Sequence, residues 1–179
     1  MIAKIGLMNP SYKRSEMSCK AFREWINNAD HPEEIEWITT LDSVDPSVTE
    51  YLDKFSLEFL EISKIAGFGI SIGNSTTGIQ AVNRAAKLLS SSVELLICVA
   101  DDVGCFPHWD TELFKMLEGV DNFKEPKIIW PDDGRIPFGT VLIYYFANRA
   151  FYNKVGFVLS EEYTSMWVDN ELTETAKIL

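Results

Sequence analysis

Apolar and polar positions alternate along the first two thirds of the chain in a strand, helix, strand, helix rhythm. The run AKIGLMN (residues 3–9) predicts a strand. A helix is predicted from about Ser15, because Met17, Ala21, Phe22, Trp25 and Ile26 recur at three- and four-residue spacing up to Asn27-Asn28. IEWITTLD (35–42) predicts a second strand, and residues 47–64 a helix with Val48, Leu52, Phe55 and Phe59 on one face. GFGISIG (67–73) is a third strand that turns at Gly73-Asn74-Ser75. The next helix, from about Thr76, carries Ile79, Val82, Ala86 and Leu89.

VELLICVA (93–100) is apolar apart from Glu94, the pattern of a central strand covered on both faces. This order argues for an α/β fold with a mostly parallel sheet and right-handed crossovers. Asp110 is placed to cap a short helix over 111–118, ended by Gly119. The last third reads differently. PKIIW and TVLIYYFAN predict a small mixed β region around the loop PDDGRIPFG, and SEEYTSMWVDNELTETAKIL a loop leading into a terminal helix.

Composition narrows the class. At 179 residues, with 46% hydrophobic and 24% charged, one soluble globular domain is expected. No apolar run is long enough for a membrane span, and MIAKIGLMNPSYKR reads as a strand and not as a signal peptide. A net charge of −11 argues against nucleic-acid binding, which needs a basic face. It leaves room for a nucleotide ligand, since a divalent cation reverses the local sign. Cys19, Cys98 and Cys105 follow no CxxC spacing and read as reduced thiols of a cytoplasmic protein, with a place at the membrane surface open to it.

The candidate chemistry sits in CVADDVGCFPHWD (98–110), where Asp101 and Asp102 follow the most hydrophobic strand. Ligands of open α/β sheets gather at the carboxyl ends of strands. Two adjacent carboxylates call for a counter-ion, and a hard cation such as Mg²⁺ or Mn²⁺ suits them. The plainer reading is that both acids begin a turn. His108 reads as a loop histidine beside Trp109.

At this point the sequence resembles the nucleotide-sugar-dependent glycosyltransferases of the GT-A fold, family-2-like members in particular. NPSYKR looks like the opening P-x-x-x-R loop that receives the nucleotide base, which puts Pro10 and Arg14, with Lys13, at the donor. TLDSVD matches the acidic position for the base or ribose, here Asp42, with Asp45 nearby. GNSTTGIQAVNRAAKLLSSSVELLICVADDV resembles the helix that borders the nucleotide, bringing Asn83 and Arg84, followed by the strand that ends in the DXD-type metal motif. VGFVLSEEYTSMWVDNELTETA looks like the acceptor-side loop and late acidic motif, with Asp169 where inverting members keep the base.

The resemblance implies an inverting transfer from a UDP- or GDP-type sugar donor to a glycan or lipid-linked hydroxyl of a surface polysaccharide. Asp102 would hold Mn²⁺ or Mg²⁺. Asp101 would assist it or meet the ribose or sugar hydroxyls, Glu171 would be a fallback base, and Trp167 an acceptor platform. It also divides the chain into a nucleotide-binding part, about 1–105, and an acceptor part, about 106–179. The acidic motif is ADD and not D-x-D, and the sequence ends ten residues after Asp169. A further metal ligand or acceptor element is therefore expected to be missing or to come from another subunit, which leaves a homo-oligomer open.

Plainer readings stand beside these. Asp169 suits a helix N-cap, Asp42 and Asn74 suit turns, and Trp109 and Trp130 suit the core, Trp130 above all. Two other functions remain open. A nucleotidyltransferase would also use paired acids, but it asks for a Gly-rich loop after the first strand, and NPSYKR has no glycine. A GT-A-like nucleotide-binding scaffold would bind without turnover.

Overall fold

The computed structural model describes residues 4–62, 64–120, 124–131 and 145–178. Six strands form one sheet in the order β3-β2-β1-β4-β6-β5. They are β1 (Lys4–Ser11), β2 (Ile35–Asp42), β3 (Gly67–Gly73), β4 (Val93–Cys98), β5 (Ile128–Ile129) and β6 (Phe146–Asn148). The first four run parallel, while β6 is antiparallel to both β4 and β5. This is the mostly parallel α/β sheet with a small mixed region that the sequence predicts. The loop PDDGRIPFG from residue 132 onward, and residues 140–144 of the strand expected before Asn148, lie outside the described residues.

Helices cover both faces. α1 (Ser15–Asn27), α2 (Val48–Glu61) and α4 (Trp109–Leu117) bury one side of β1, β2 and β4. α3 (Gly78–Leu88), α5 (Arg149–Val155) and α6 (Val168–Ile178) bury the other. Because β1 to β4 are parallel, Ser11, Asp42, Gly73 and Cys98 all end at one rim of the sheet. Among the described residues no helix is long and apolar enough to cross a membrane.

The α3 stripe packs as expected, with Ile79, Val82, Ala86 and Leu89 all buried. Three local expectations are corrected. In α1, Met17 is exposed, and Ser18 and Cys19 take the inward positions. In α2 the inward face is Tyr51 and Phe55, while Leu52 and Phe59 are exposed; Phe59 leans instead on Phe68 of the edge strand β3. An edge strand covers only part of a helix, so the outer apolar positions of α2 stay in solvent. Asp110 does not cap α4, which starts at Trp109. Its carboxylate is buried and accepts from the backbone N–H of Asp30 (2.9 Å) and His31 (2.7 Å), stapling α4 to the end of the α1 turn.

Gly6 lies on the central strand against α3. A Cβ there would sit 2.5 Å and 2.8 Å from the Leu89 methyls and 2.9 Å from Val93 Cγ1. Gly6→Ala is expected to lower stability by about 1–3 kcal/mol through overpacking. Urea denaturation of the two proteins reads this directly.

Candidate functional site

The polar end of β1 builds the site. Asn9 is fully buried, and its Nδ2 donates to the Val99 carbonyl (3.0 Å) and to Asp101 Oδ1 (3.1 Å). Ser11 Oγ donates to Asp101 Oδ2 (3.0 Å) and contacts the Tyr51 hydroxyl at 2.5 Å. Both oxygens of Asp101 are thus fixed from the neighbouring strand. Burial pushes the Asp101 carboxyl above its ordinary value. The hydrogen bonds from Asn9 and Ser11 and the Arg14 charge offset part of that rise, and Asp102 adds to it.

Asp102 faces outward, with its side chain 59% exposed and Arg14 Nη1 3.9 Å from Oδ2. The loop that carries Arg14 is held from α2 and the turn before it: Tyr51 Oη accepts from the Arg14 N–H (2.9 Å), and Asp45 Oδ2 from the Lys13 N–H (2.6 Å). Lys13 takes a left-handed conformation, φ 57°. Burial works against the Asp45 charge, but hydrogen bonds from Ser47 and from the Lys13 backbone outweigh it and leave its pKa lowered. Asp45 is a loop staple here.

Could these acids hold a divalent cation? The donors are hard oxygens and Asp102 is open to solvent, so one carboxylate, with Asp101 beside it, fits a cation that draws its other ligands from phosphate and water. Among the described residues no group of three or more His, Cys, Asp or Glu forms a closed cage.

Next to the acids, across the carboxyl ends of β1, β2 and β3, lies a cleft of about 810 Å³ lined by Pro10, Ser11, Tyr12, Asp42, Asn74 and Thr77 among others. Asp42 Oδ1 accepts from the Val44 N–H at 3.1 Å, so Asp42 shapes its own turn while facing the cleft. Arg84 lies behind the rim. Its guanidinium donates to the Leu41 carbonyl (2.7 Å) and to Ser75 Oγ (2.6 Å), and a Cβ at Gly73 would meet its Nη1 at 2.8 Å. Burial lowers the Arg84 pKa and the Asp42 charge opposes that. Arg84 therefore ties the ends of β2 and β3 together beneath the cleft.

Asn83 points to the opposite side. It is buried, and its Nδ2 donates to the Leu159 carbonyl (2.7 Å) and Glu161 Oε1 (3.0 Å). Its Oδ1 accepts from the Val158 (3.0 Å) and Leu159 (3.1 Å) N–H groups. With its amide fully engaged, Asn83 is a fastener between α3 and the 157–161 loop, not a wall of the cleft. Glu171 also lies away from the acids, in a separate cleft of about 610 Å³ with Asn83, Lys87 and Glu161.

Asp169 is brought in. It is the second residue of α6, so it is not the residue that opens that helix, and burial raises its pKa. Its charge and that of Asp101 both act on the Cys98 thiol, which burial pushes up to about 12. Both charges are thus within electrostatic reach of the end of β4. Trp167 is 66% exposed and left-handed, φ 72°, just ahead of α6. Trp109 stacks edge-on with Trp25 and donates to the Trp25 carbonyl (2.8 Å), and Trp130 packs against the core on the α6 side. Asp102 itself lines a further cleft of about 690 Å³, together with Cys98, Val103, Phe106, Trp109 and Tyr145. All three cysteines are free, and burial keeps each thiol protonated.

The sequence expectation omitted Asn9, Ser11 and Tyr51. The one signal for the first was a polar residue ending the apolar run of β1.

No family model matches the chain, and no curated protein matches it. Solved structures do match. S. aureus TarS 1-349 superposes with a TM-score of 0.72 at 16% identity, over 97% of this chain and 55% of that one. TarS 1-349 in complex with UDP-GlcNAc gives 0.68 at 16% identity, over 97% and 53%. The mannosyltransferase PcManGT from Pyrobaculum calidifontis, in complex with GDP-Man and Mn2+, gives 0.67 at 12% identity, over 96% and 51%. This chain spans about half the length of each of these. At such identities the likeness establishes the fold, which is GT-A-like, as in glycosyltransferases.

Proposed function

We propose that this chain transfers a sugar from a nucleoside-diphosphate donor to a hydroxyl acceptor, with inversion at the anomeric carbon. The observation that carries this reading is Asp101 locked by Asn9 and by Ser11, itself part of the wall of the 810 Å³ cleft, beside an outward Asp102. It is supported by a fold whose solved examples were captured with UDP-GlcNAc or with GDP-Man and Mn2+.

In this reading residues 1–105 receive the donor and 106–179 the acceptor, within one domain. Pro10 and Tyr12 flank the base, and Asp42 accepts from base or ribose. Arg84 keeps the turn behind them in place. Asp101 orients ribose or sugar hydroxyls, and fixing the donor in this way supplies much of the rate. Asp102 would hold Mn²⁺ or Mg²⁺, which when bound neutralises the charge on the departing diphosphate. Arg14, now beside Asp102, adds a positive charge at the same point. Asp169 takes the proton from the acceptor hydroxyl. Burial suits it to that task, because a raised pKa makes a carboxylate a stronger base. Exposed Trp167 offers a face to a glycan or lipid-linked acceptor.

The test is thermal stability with UDP, GDP, CDP and dTDP, each with and without Mn²⁺, in wild type and Asp102→Ala. A ligand at about a hundred times its dissociation constant should raise the midpoint of a chain this size by about 5–10 °C. One nucleotide should do so only with Mn²⁺, and the rise should vanish in Asp102→Ala. A flat response to all four nucleotides would remove the donor-site reading.

A further inference from the structure

The hydroxyl of Tyr145 is buried and, among the described residues, has no hydrogen-bond partner. Buried phenols normally find one. Tyr145 directly precedes β6. Continuing the antiparallel register in which Ile97 faces Phe146 sets it opposite Cys98, the last residue of β4. Both belong to the layer on which α6 packs Val168 and Leu172, the residues bracketing the first turn that holds Asp169.

Asp169 is the complement. Its carboxylate lies within electrostatic reach of the Tyr145 hydroxyl and of the Cys98 thiol. Its pKa rise has one cause, burial, and among the described residues no hydrogen bond offsets it. Asp101 differs, since Asn9 and Ser11 hold both of its oxygens. Among the described residues, this end of β4 thus carries a buried donor without an acceptor and a half-buried acceptor without a donor.

We propose that the Tyr145 hydroxyl donates a hydrogen bond to the Asp169 carboxylate in solution, reached by a change of Asp169 rotamer, and so fixes the direction in which Asp169 works. Tyr145 is then a positioning residue. Substrate does not reach the hydroxyl, because its oxygen is closed off. Burial pushes the phenol well above its ordinary pKa, so it stays a donor at any working pH. Among the described residues, the other titratable groups at this end of the sheet are Cys98, Asp101 just past the end of β4, and Glu171 on the helix of Asp169. The first is a weak donor and the other two are acceptors when ionised, so none replaces Tyr145.

The inference rests on reading Asp169 as the base, and its test is independent of turnover. NMR titration of ¹³C-carboxyl-labelled aspartate, with the Asp169 signal assigned by its loss in Asp169→Asn, gives this carboxyl's pKa in wild type and in Tyr145→Phe. Removing the donor should raise it by about one pH unit, a tenfold change in proton affinity. The melting midpoint at neutral pH should fall, since the variant leaves the buried Asp169 charge without its donor. A titration curve unchanged or shifted to lower pH in Tyr145→Phe would overturn the proposal. The base reading fails separately, if Asp169→Asn keeps full donor turnover, and that result would leave a measured Tyr145–Asp169 pair standing.

Discussion

Asp169→Asn is expected to reduce transfer by about two to four orders of magnitude while making the protein more stable at neutral pH. Asparagine keeps the size and polarity of the side chain and loses the ability to take a proton. The stability effect follows from the direction of the pKa shift. Burial raises the folded-state value above the ordinary 3.8, so the folded chain binds a proton more readily than the unfolded one. The contribution of Asp169 to stability is therefore fully present below pH 3.8 and is lost as pH rises through the folded value. At pH 7 the wild type carries the cost of a desolvated charge and the variant does not. Melting curves of the two proteins should separate at neutral pH and converge in acid. The rate of wild-type transfer against pH should show an acid limb above 3.8, because Asp169 works only when ionised. A variant that loses stability at pH 7, or keeps full transfer, would contradict the role given to this carboxylate. Sites under catalytic demand often trade stability in this way.

Asn83→Ala is expected to be strongly destabilising, at about 3–5 kcal/mol. The substitution strands the N–H groups of Val158 and Leu159 and the Leu159 carbonyl, all of which Asn83 satisfies in the wild type. Each buried group left without a partner costs about 1–3 kcal/mol. The loop it releases leads to α6, so Asp169 and Trp167 should lose their placement along with it. Urea denaturation measures the first effect through a lower midpoint at unchanged slope. Nucleotide affinity, measured at a temperature where the variant is still folded, should be close to that of wild type. A variant of normal stability that fails to bind nucleotide would instead return Asn83 to the donor cleft.

These two residues also mark where sequence reading succeeds and where it stops. Periodicity alone gives the alternating strands and helices, the continuous apolar β4 and the acids that follow it, because side-chain direction repeats every two residues in a strand and every 3.6 in a helix. From that pattern come the parallel sheet and the prediction that chemistry sits at its carboxyl rim. Asp101, Asp102, Asp42 and Asp169 were all visible as acids at element ends.

Their partners were not. Asn9 reaches Asp101 across 92 residues of chain, Ser11 across 90, and Asn83 holds a loop 75 to 78 residues away. Asn83 and Arg84 are neighbours on one helix, yet one turns to the 157–161 loop and the other to the strand ends. Only the packing of α3 on the sheet separates them. The same holds for α2, where the sequence offers a plausible stripe at Leu52 and Phe59, but the position of β3 at the sheet edge leaves it in solvent. The sequence by itself determined which segments are strands and helices and that two acids close the central strand, since those depend on neighbours within a few residues. Which carboxylate is locked, which is open, and which polar groups serve structure were decided by the tertiary fold, because hydrogen bonds and burial are set by whatever the packing of layers brings within about 3 Å.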